Sequence, residues 1–153
     1  MTYYKRQFFP RKPVRSFRDL EVYQRTVECS VLIIKDLKPV LAKLKYDFLE
    51  NFINCSMAIP FFVAEAHSVR FTSFNEGVNL LEKAMLSCNK MIVYLEQSMG
   101  IYGKKLPIDL VEDLIRRYIE TRGKMFRLEK AWKKYRVEDA GERQNKNRPV
   151  YPL

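Results

Sequence analysis

Four stretches of this chain repeat apolar residues at the three- and four-residue steps of an α-helix, and this periodicity constrains the fold most strongly. The stretches begin near Ser16, Tyr46, Ser73 and Pro107, and short connections join them. No stretch shows the strict alternation of apolar and polar residues that is typical of a strand. The pattern predicts an all-α fold, an antiparallel up-down four-helix bundle.

Caps and breakers predict where the first and third helices begin and end. Ser16 resembles an N-terminal cap, and Pro39 is expected to end the first helix at the residue before it. Ser73, with an acid three residues later, has the spacing of a capping box, and the third helix is expected to stop before Gly100.

The second and fourth helices are predicted by the same reasoning. The second spans about 46–67 and is apolar on most sides, with Pro60 expected to kink or split it. The fourth begins around Pro107, and its apolar pattern stops after Arg136. At 153 residues the chain suits one domain, divided into an arm (1–16), a bundle (17–136) and a flexible C-terminal tail (137–153).

Positive charge collects at the two ends of the chain. Residues 1–18 carry six basic residues and no acid, and residues 122–153 carry ten basic residues against four acids, whereas residues 19–121 have a net charge of −2. The total is +10. Clustered cations are typical of proteins that bind a polyanion, because each cation that meets a phosphate releases condensed counterions.

Two groups of cations are therefore predicted to contact RNA or DNA backbones. The first is the arm, with Lys5, Arg6, Arg11 and Lys12 between aromatic residues. The second, the basic ridge, shares one face of the fourth helix and comprises Arg117, Lys124, Arg127, Lys130 and Lys134, with Lys133 beside it. Two alternatives remain open: the ridge is a solvated helix face, or the arm aromatics pack on the protein itself or on a neighbouring subunit.

The sequence offers little for catalysis, a cofactor or a metal. Its one histidine, His67, excludes a multi-histidine metal cage, and Cys29, Cys55 and Cys88 each lie in an apolar stripe, which favours a core role. Glu65, His67 and Arg70 together could perform acid–base chemistry, or they could form a hydrogen-bonded helix end with Glu65 buried. We expect no enzymatic activity and no metal or cofactor.

The apolar excess of the second helix predicts a subunit interface. Phe52, Phe61 and Phe62 are the interface residues that we expect, and they indicate a homo-oligomer. No segment has the roughly 18 uncharged apolar residues that a bilayer span needs, so no membrane partner is expected. The unpaired cysteine count favours a reducing compartment, and we expect a cytoplasmic protein.

Several motifs resemble those of a known family. The stretch Phe17–Gln24 resembles the opening motif of the four-helix-bundle family named for proteins encoded in intervening sequences of large-subunit ribosomal RNA genes. Ile59-Pro60 followed by Val63–Glu65 is similar to its second-helix motif, and Arg70 and Phe74 fit the stretch that follows. The chain departs from the family at Ile53-Asn54, Phe61-Phe62, Ala66 and Lys90.

The resemblance implies a non-enzymatic bundle that assembles as a homopentamer. The family includes the accessory variability determinant proteins of diversity-generating retroelements, which are basic and bind a reverse transcriptase and nucleic acid. Two functions are thus expected as alternatives: an accessory protein that binds nucleic-acid backbones, or a scaffold whose main partner is a reverse transcriptase.

Overall fold

The computed structural model describes residues 13–146, and within that range all regular structure is helical. A 3-10 turn (Phe17–Asp19) precedes the first helix. The elements that follow are α1 (Glu21–Leu32), a π-helical segment (Ile33–Leu37), α2 (Lys38–Lys43), α3 (Leu49–Val69), α4 (Phe74–Tyr102) and α5 (Ile108–Lys146). Because α1, the π-helical segment and α2 run on without a loop, residues 13–146 form four helices, as predicted.

Ser16 caps the start of the first helical region, as predicted. Its hydroxyl accepts a hydrogen bond from the Arg18 backbone N–H at 3.2 Å, and the Asp19 carboxylate accepts one from the Ser16 backbone N–H at 3.2 Å. The reciprocal pair satisfies donors that a helix start otherwise leaves free. It closes a 3-10 turn rather than α1 itself.

The prediction that Pro39 ends the first helix is wrong. The Lys38 backbone N–H bonds to the Ile33 carbonyl, five residues back, and the helix continues to Lys43. In a regular α-helix the proline ring would clash with the carbonyl four residues earlier, which belongs to Lys35. The wider π-helical turn relieves that clash, so the helix passes through the proline.

Pro60 does not split α3, which continues as a helix from Leu49 to Val69. Among the described helices, α3 is also the one long and apolar enough to cross a membrane by length and composition alone. Phe52, Ile59 and Val63 on this helix are fully buried inside the bundle.

Two helix ends lie further along the chain than the sequence indicated. Ser73 caps α4 as predicted, by accepting a hydrogen bond from the Glu76 N–H at 3.4 Å, but the helix passes Gly100 and ends at Gly103, whose φ is +53°. Only glycine adopts that backbone region without strain, so it terminates the helix. The last helix, α5, continues beyond Arg136 to Lys146, and no proline interrupts it there. The part of the predicted tail that the structure describes is therefore helical.

The four helices form a ring in which α1 and α4 each pack against α3 and α5. Contacts between α4 and its neighbours follow an antiparallel register: Phe52 packs on Tyr94 and Tyr46 on Tyr102, with centroids 5.9 and 6.2 Å apart. Further along, the Cys88 thiol lies 4.0 Å from the Met125 sulfur. The up-down order therefore alternates around the bundle.

The core is one continuous apolar cluster that all four helices share. Tyr118 is its largest fully buried side chain, and within the described residues its hydroxyl has no hydrogen-bond partner. Cys29 and Cys88 are buried beside it, and burial raises the pKa of Cys29 to about 12 and raises that of Cys88 as well. These two thiols are core residues, as the sequence predicted, and neither is activated as a nucleophile.

Candidate nucleic-acid interface

The basic ridge lies on α5, and its first member is held by acids rather than free. Arg117 Nε donates to the Asp113 carboxylate at 2.7 Å, and its guanidinium lies 3.7 Å from Glu28 on α1. The arginine side chain is only 21% exposed. Arg117 therefore joins α1 to α5, and little of its charge is available to a phosphate.

Lys124 extends the same ladder of ion pairs between α1 and α5. Its ammonium lies 3.3 Å from Glu21, and one turn back Arg25 lies 3.4 Å from Glu120. The three pairs 21–124, 25–120 and 28–117 keep a constant antiparallel offset. The ladder joins the two helices in this alignment. The charges of Lys124 and Arg117 are therefore paired with acids of α1.

The other three members of the ridge are exposed on one face of α5. Arg127, Lys130 and Lys134 follow at steps of three and four residues and point away from the core. The Lys130 ammonium lies 4.6 Å from the Phe126 ring centroid, and no acid is paired with it in the described residues. We call these three residues the exposed cations. Lys133, beside them, lies 3.9 Å from the buried Glu129.

The antiparallel register brings further cations to the same end of the bundle. This end, which we call the basic end, contains the start of α1, the α3–α4 connection and the second half of α5. The Arg70 guanidinium lies 4.9 Å from the Trp132 ring centroid, and Arg136 lies 4.4 Å from that of Phe74. Asp19, just before α1, is close enough to influence His67 at the end of α3.

The sequence interpretation did not assign Arg70 and Phe71 to this surface. Both lie in the α3–α4 connection, far in sequence from α5, so helical spacing could not place them there. The signal available was local: a basic residue and two aromatics, Arg70, Phe71 and Phe74, follow the end of one predicted helix and open the next.

The arm residues that are predicted to contact nucleic acid lie outside the described residues: Lys5, Arg6, Arg11 and Lys12. Val14 and Arg15, where the described chain begins, are exposed and directly precede the Ser16 cap. The arm therefore joins the folded chain at the basic end.

A second candidate surface is an apolar groove between α1 and α3 with a volume of about 510 Å³. Tyr23, Val27 and Ile34 line one wall, and Met57 and Phe61 line the other. Of the three predicted interface residues, Phe61 is 66% exposed and Phe62 is partly buried. Assigning Phe52 to an interface is wrong, because its side chain is fully buried in the chain's own core.

The side chains considered for acid–base chemistry are arranged as follows. His67 is buried, and its Nε2 lies 3.4 Å from the Arg70 Nη2. Glu65 is exposed, although the helix-end alternative expected it to be buried. Burial lowers the pKa of His67, and the charge of Arg70 lowers it further. Within residues 13–146 no three His, Cys, Asp or Glu side chains are grouped to hold a metal ion.

Comparison of the chain with protein-family models, with curated proteins and with solved structures gives no match. Two surfaces of the described residues indicate a function: the basic end and the apolar groove.

Proposed function

We propose that this chain is a non-catalytic protein that binds the phosphate backbone of RNA or DNA at the basic end of its bundle. The observation that carries the proposal is the antiparallel offset between α1 and α5. It places the exposed cations of α5 beside the start of α1, which the basic residues 1–12 precede in sequence. Residues 13–16 lead into α1 at this same end.

The exposed cations suit a phosphate backbone better than they suit a base edge. Arg127 and Lys134 are seven residues apart on α5, roughly 10 Å along the helix axis at 1.5 Å per residue, with Lys130 between them. Such a row can follow successive phosphates. Phosphate contacts position a nucleic acid without reading its sequence, so we expect binding with little base specificity.

Reversing charge at the exposed cations tests this proposal. The double variant Lys130→Glu with Lys134→Glu should bind a labelled oligonucleotide more weakly and should flatten the plot of log affinity against log salt. For the unaltered chain, several phosphate contacts predict an affinity that falls by orders of magnitude between about 50 and 200 mM salt. Fluorescence anisotropy over a salt series measures both quantities.

The matched control changes the same charge elsewhere on the bundle. Lys83 and Lys90 are exposed on α4. The double variant K83E/K90E should lose far less affinity than K130E/K134E. If both double variants lower affinity and salt slope equally, attraction depends on net charge alone and the surface assignment fails.

The apolar groove favours a second function, a scaffold for a protein partner. Phe61 and Met57 expose apolar surface that a free bundle has no need to display. The partner that the family resemblance implies is a reverse transcriptase, held together with nucleic acid. If the neighbouring gene encodes such an enzyme, the two purified proteins should co-elute, and K130E/K134E should leave that complex intact. Loss of co-elution with K130E/K134E would assign the contact to the basic end and not to the groove.

A further inference from the structure

Three side chains at the basic end pack on one another in a row that runs from the core to the surface. The Arg70 guanidinium lies 4.9 Å from the ring centroid of the buried Trp132 and 4.1 Å from that of Phe71. Phe71 is 72% exposed, the largest exposed fraction among the large apolar side chains that the structure describes. We call Trp132, Arg70 and Phe71 the Phe71 stack.

Rings rather than an acid hold the central member of the stack. The Arg70 Nε is buried without a hydrogen-bond partner in the described part of the chain, and one Nη contacts His67 at 3.4 Å. Close approach of α4 confines the residue further: a Cβ on Gly77 would lie 2.8 Å from the Arg70 Cα. The close approach of α4 thus holds the Arg70 backbone, and the guanidinium lies within 5 Å of the ring centroids of both Trp132 and Phe71.

Phe71 is left as an open aromatic platform at the top of this stack. The His67 and Phe71 rings are perpendicular with centroids 5.9 Å apart, and Arg70 covers ring surface, yet most of the Phe71 side chain remains accessible. An exposed ring that packs on a guanidinium is suited to receive another flat π system. A stacked base would add a further aromatic layer on Phe71.

The Phe71 stack and the exposed cations lie at the same level of α5, on different sides of the helix. Trp132, at the base of the stack, is two residues from both Lys130 and Lys134, about 3 Å along the axis, but it points into the bundle whereas the two lysines are exposed. A strand that contacts both the exposed cations and Phe71 therefore wraps around α5 at the basic end. Paired bases inside a duplex present no free face to such a platform.

We infer that the Phe71 stack receives an unpaired base, so that the nucleic-acid partner is single-stranded at this point. The inference rests on the proposed function and makes it more specific: the exposed cations hold phosphates, and Phe71 holds a base without selecting its identity, because every base has a π face.

The test compares two single strands with the same number of phosphates, an oligothymidylate and an abasic oligonucleotide of equal length. At one salt concentration the unaltered chain should bind the oligothymidylate about tenfold more tightly, the scale of one base stacked on an aromatic ring. Phe71→Ala should abolish that preference and leave affinity for the abasic strand unchanged. Phe71→Trp should keep the preference.

The matched control is Phe61→Ala, which removes a similarly exposed phenylalanine from the apolar groove and should keep the tenfold preference. Circular dichroism of each variant checks that its helices remain. Equal affinity of the unaltered chain for both strands, or a preference that survives F71A, overturns the stacking inference while the phosphate-binding proposal stands. Binding to neither strand overturns both.

Discussion

Glu129 shows how one residue can set a pH dependence in this bundle. Its side chain is buried between α5 and α4, and one carboxylate oxygen has no hydrogen-bond partner among the described residues. Burial raises the pKa of the Glu129 carboxyl, and hydrogen bonding and charge from Glu82 raise it further. At pH values between the ordinary glutamate pKa and the raised pKa, the folded chain therefore keeps a proton on Glu129 that the unfolded chain releases.

From that difference we predict that Glu129→Gln stabilises the fold at pH 7.5 but not at pH 4. A raised pKa gives stability that is fully present below the ordinary glutamate value and is lost as the pH rises through the folded value. The neutral amide avoids this loss. Thermal unfolding should give E129Q a melting temperature a few degrees above that of the unaltered chain at pH 7.5, and the gap should close at pH 4.

Glu96, exposed on α4, provides the matched control. The variant E96Q should move the melting temperature by the same small amount at both pH values. An E129Q gain that persists unchanged at pH 4 would show that packing, and not the proton, is responsible.

At the residue scale the sequence predicted the helix face of the ridge but not which cations are free. Spacing placed Arg117, Lys124 and Arg127 together correctly as neighbours on α5. Glu28 and Glu21, which hold the first two, lie about a hundred residues away in sequence. Periodicity along one helix carries no information about the acids on the helix that packs against it.

The close packing of α3 against α4 at their junction depends on Gly77, which has no side chain. A Cβ on Gly77 would lie 2.7 Å from the Arg70 Cβ and 3.0 Å from the Ala66 carbonyl oxygen. Both contacts are with backbone or the base of a side chain, which cannot rotate away. Glycine here lets the first turn of α4 lie directly on the end of α3.

We therefore predict that Gly77→Ala destabilises the chain and Gly100→Ala does not. Overpacking at position 77 should cost about 1–3 kcal/mol, or several degrees of melting temperature. Gly100 lies in the same helix with nothing within 4 Å of an added Cβ, so alanine there should stabilise by about 0.5–1 kcal/mol. Denaturant unfolding of both variants measures the two changes, and equal effects would refute the close-contact explanation.

At the element scale, periodicity and caps predicted four helices, and breakers predicted their ends poorly. Ser16 and Ser73 cap as expected because a cap acts within its own turn. Pro39 does not end its helix because the turn before it widens to a π-helical turn. Gly100 does not end α4, whose backbone stays helical as far as Tyr102. Whether a breaker ends a helix depends on what the next turns gain by packing.

For the whole molecule, the ring of four helices leaves the α1–α3 groove uncovered. Phe61 at its rim and Val31 nearby are exposed apolar residues on adjacent helices. This surface supports the proposal that copies of the chain associate, and the family resemblance implies five. The number cannot be deduced from periodicity, since apolar excess indicates that a surface is covered but not by how many copies.

Light scattering at micromolar concentration tests the association. The unaltered chain should show a mass that is a multiple of 18.3 kDa, five chains by the resemblance, and Phe61→Asp should reduce it to that of a single chain. Phe71→Asp, an equally drastic change at the basic end, should leave the larger mass intact. A single-chain mass for the unaltered protein would contradict the predicted homo-oligomer.

The antiparallel packing of α1 against α5 also decides where a label can be attached to this protein. Residues 13 and 146 both belong to the basic end, so a dye or a surface tether attached close to either of them would crowd that end. The α2–α3 turn around Lys45, where φ is +57°, lies at the opposite pole beside Tyr102. A single attachment point engineered there would leave the basic end exposed to the solution.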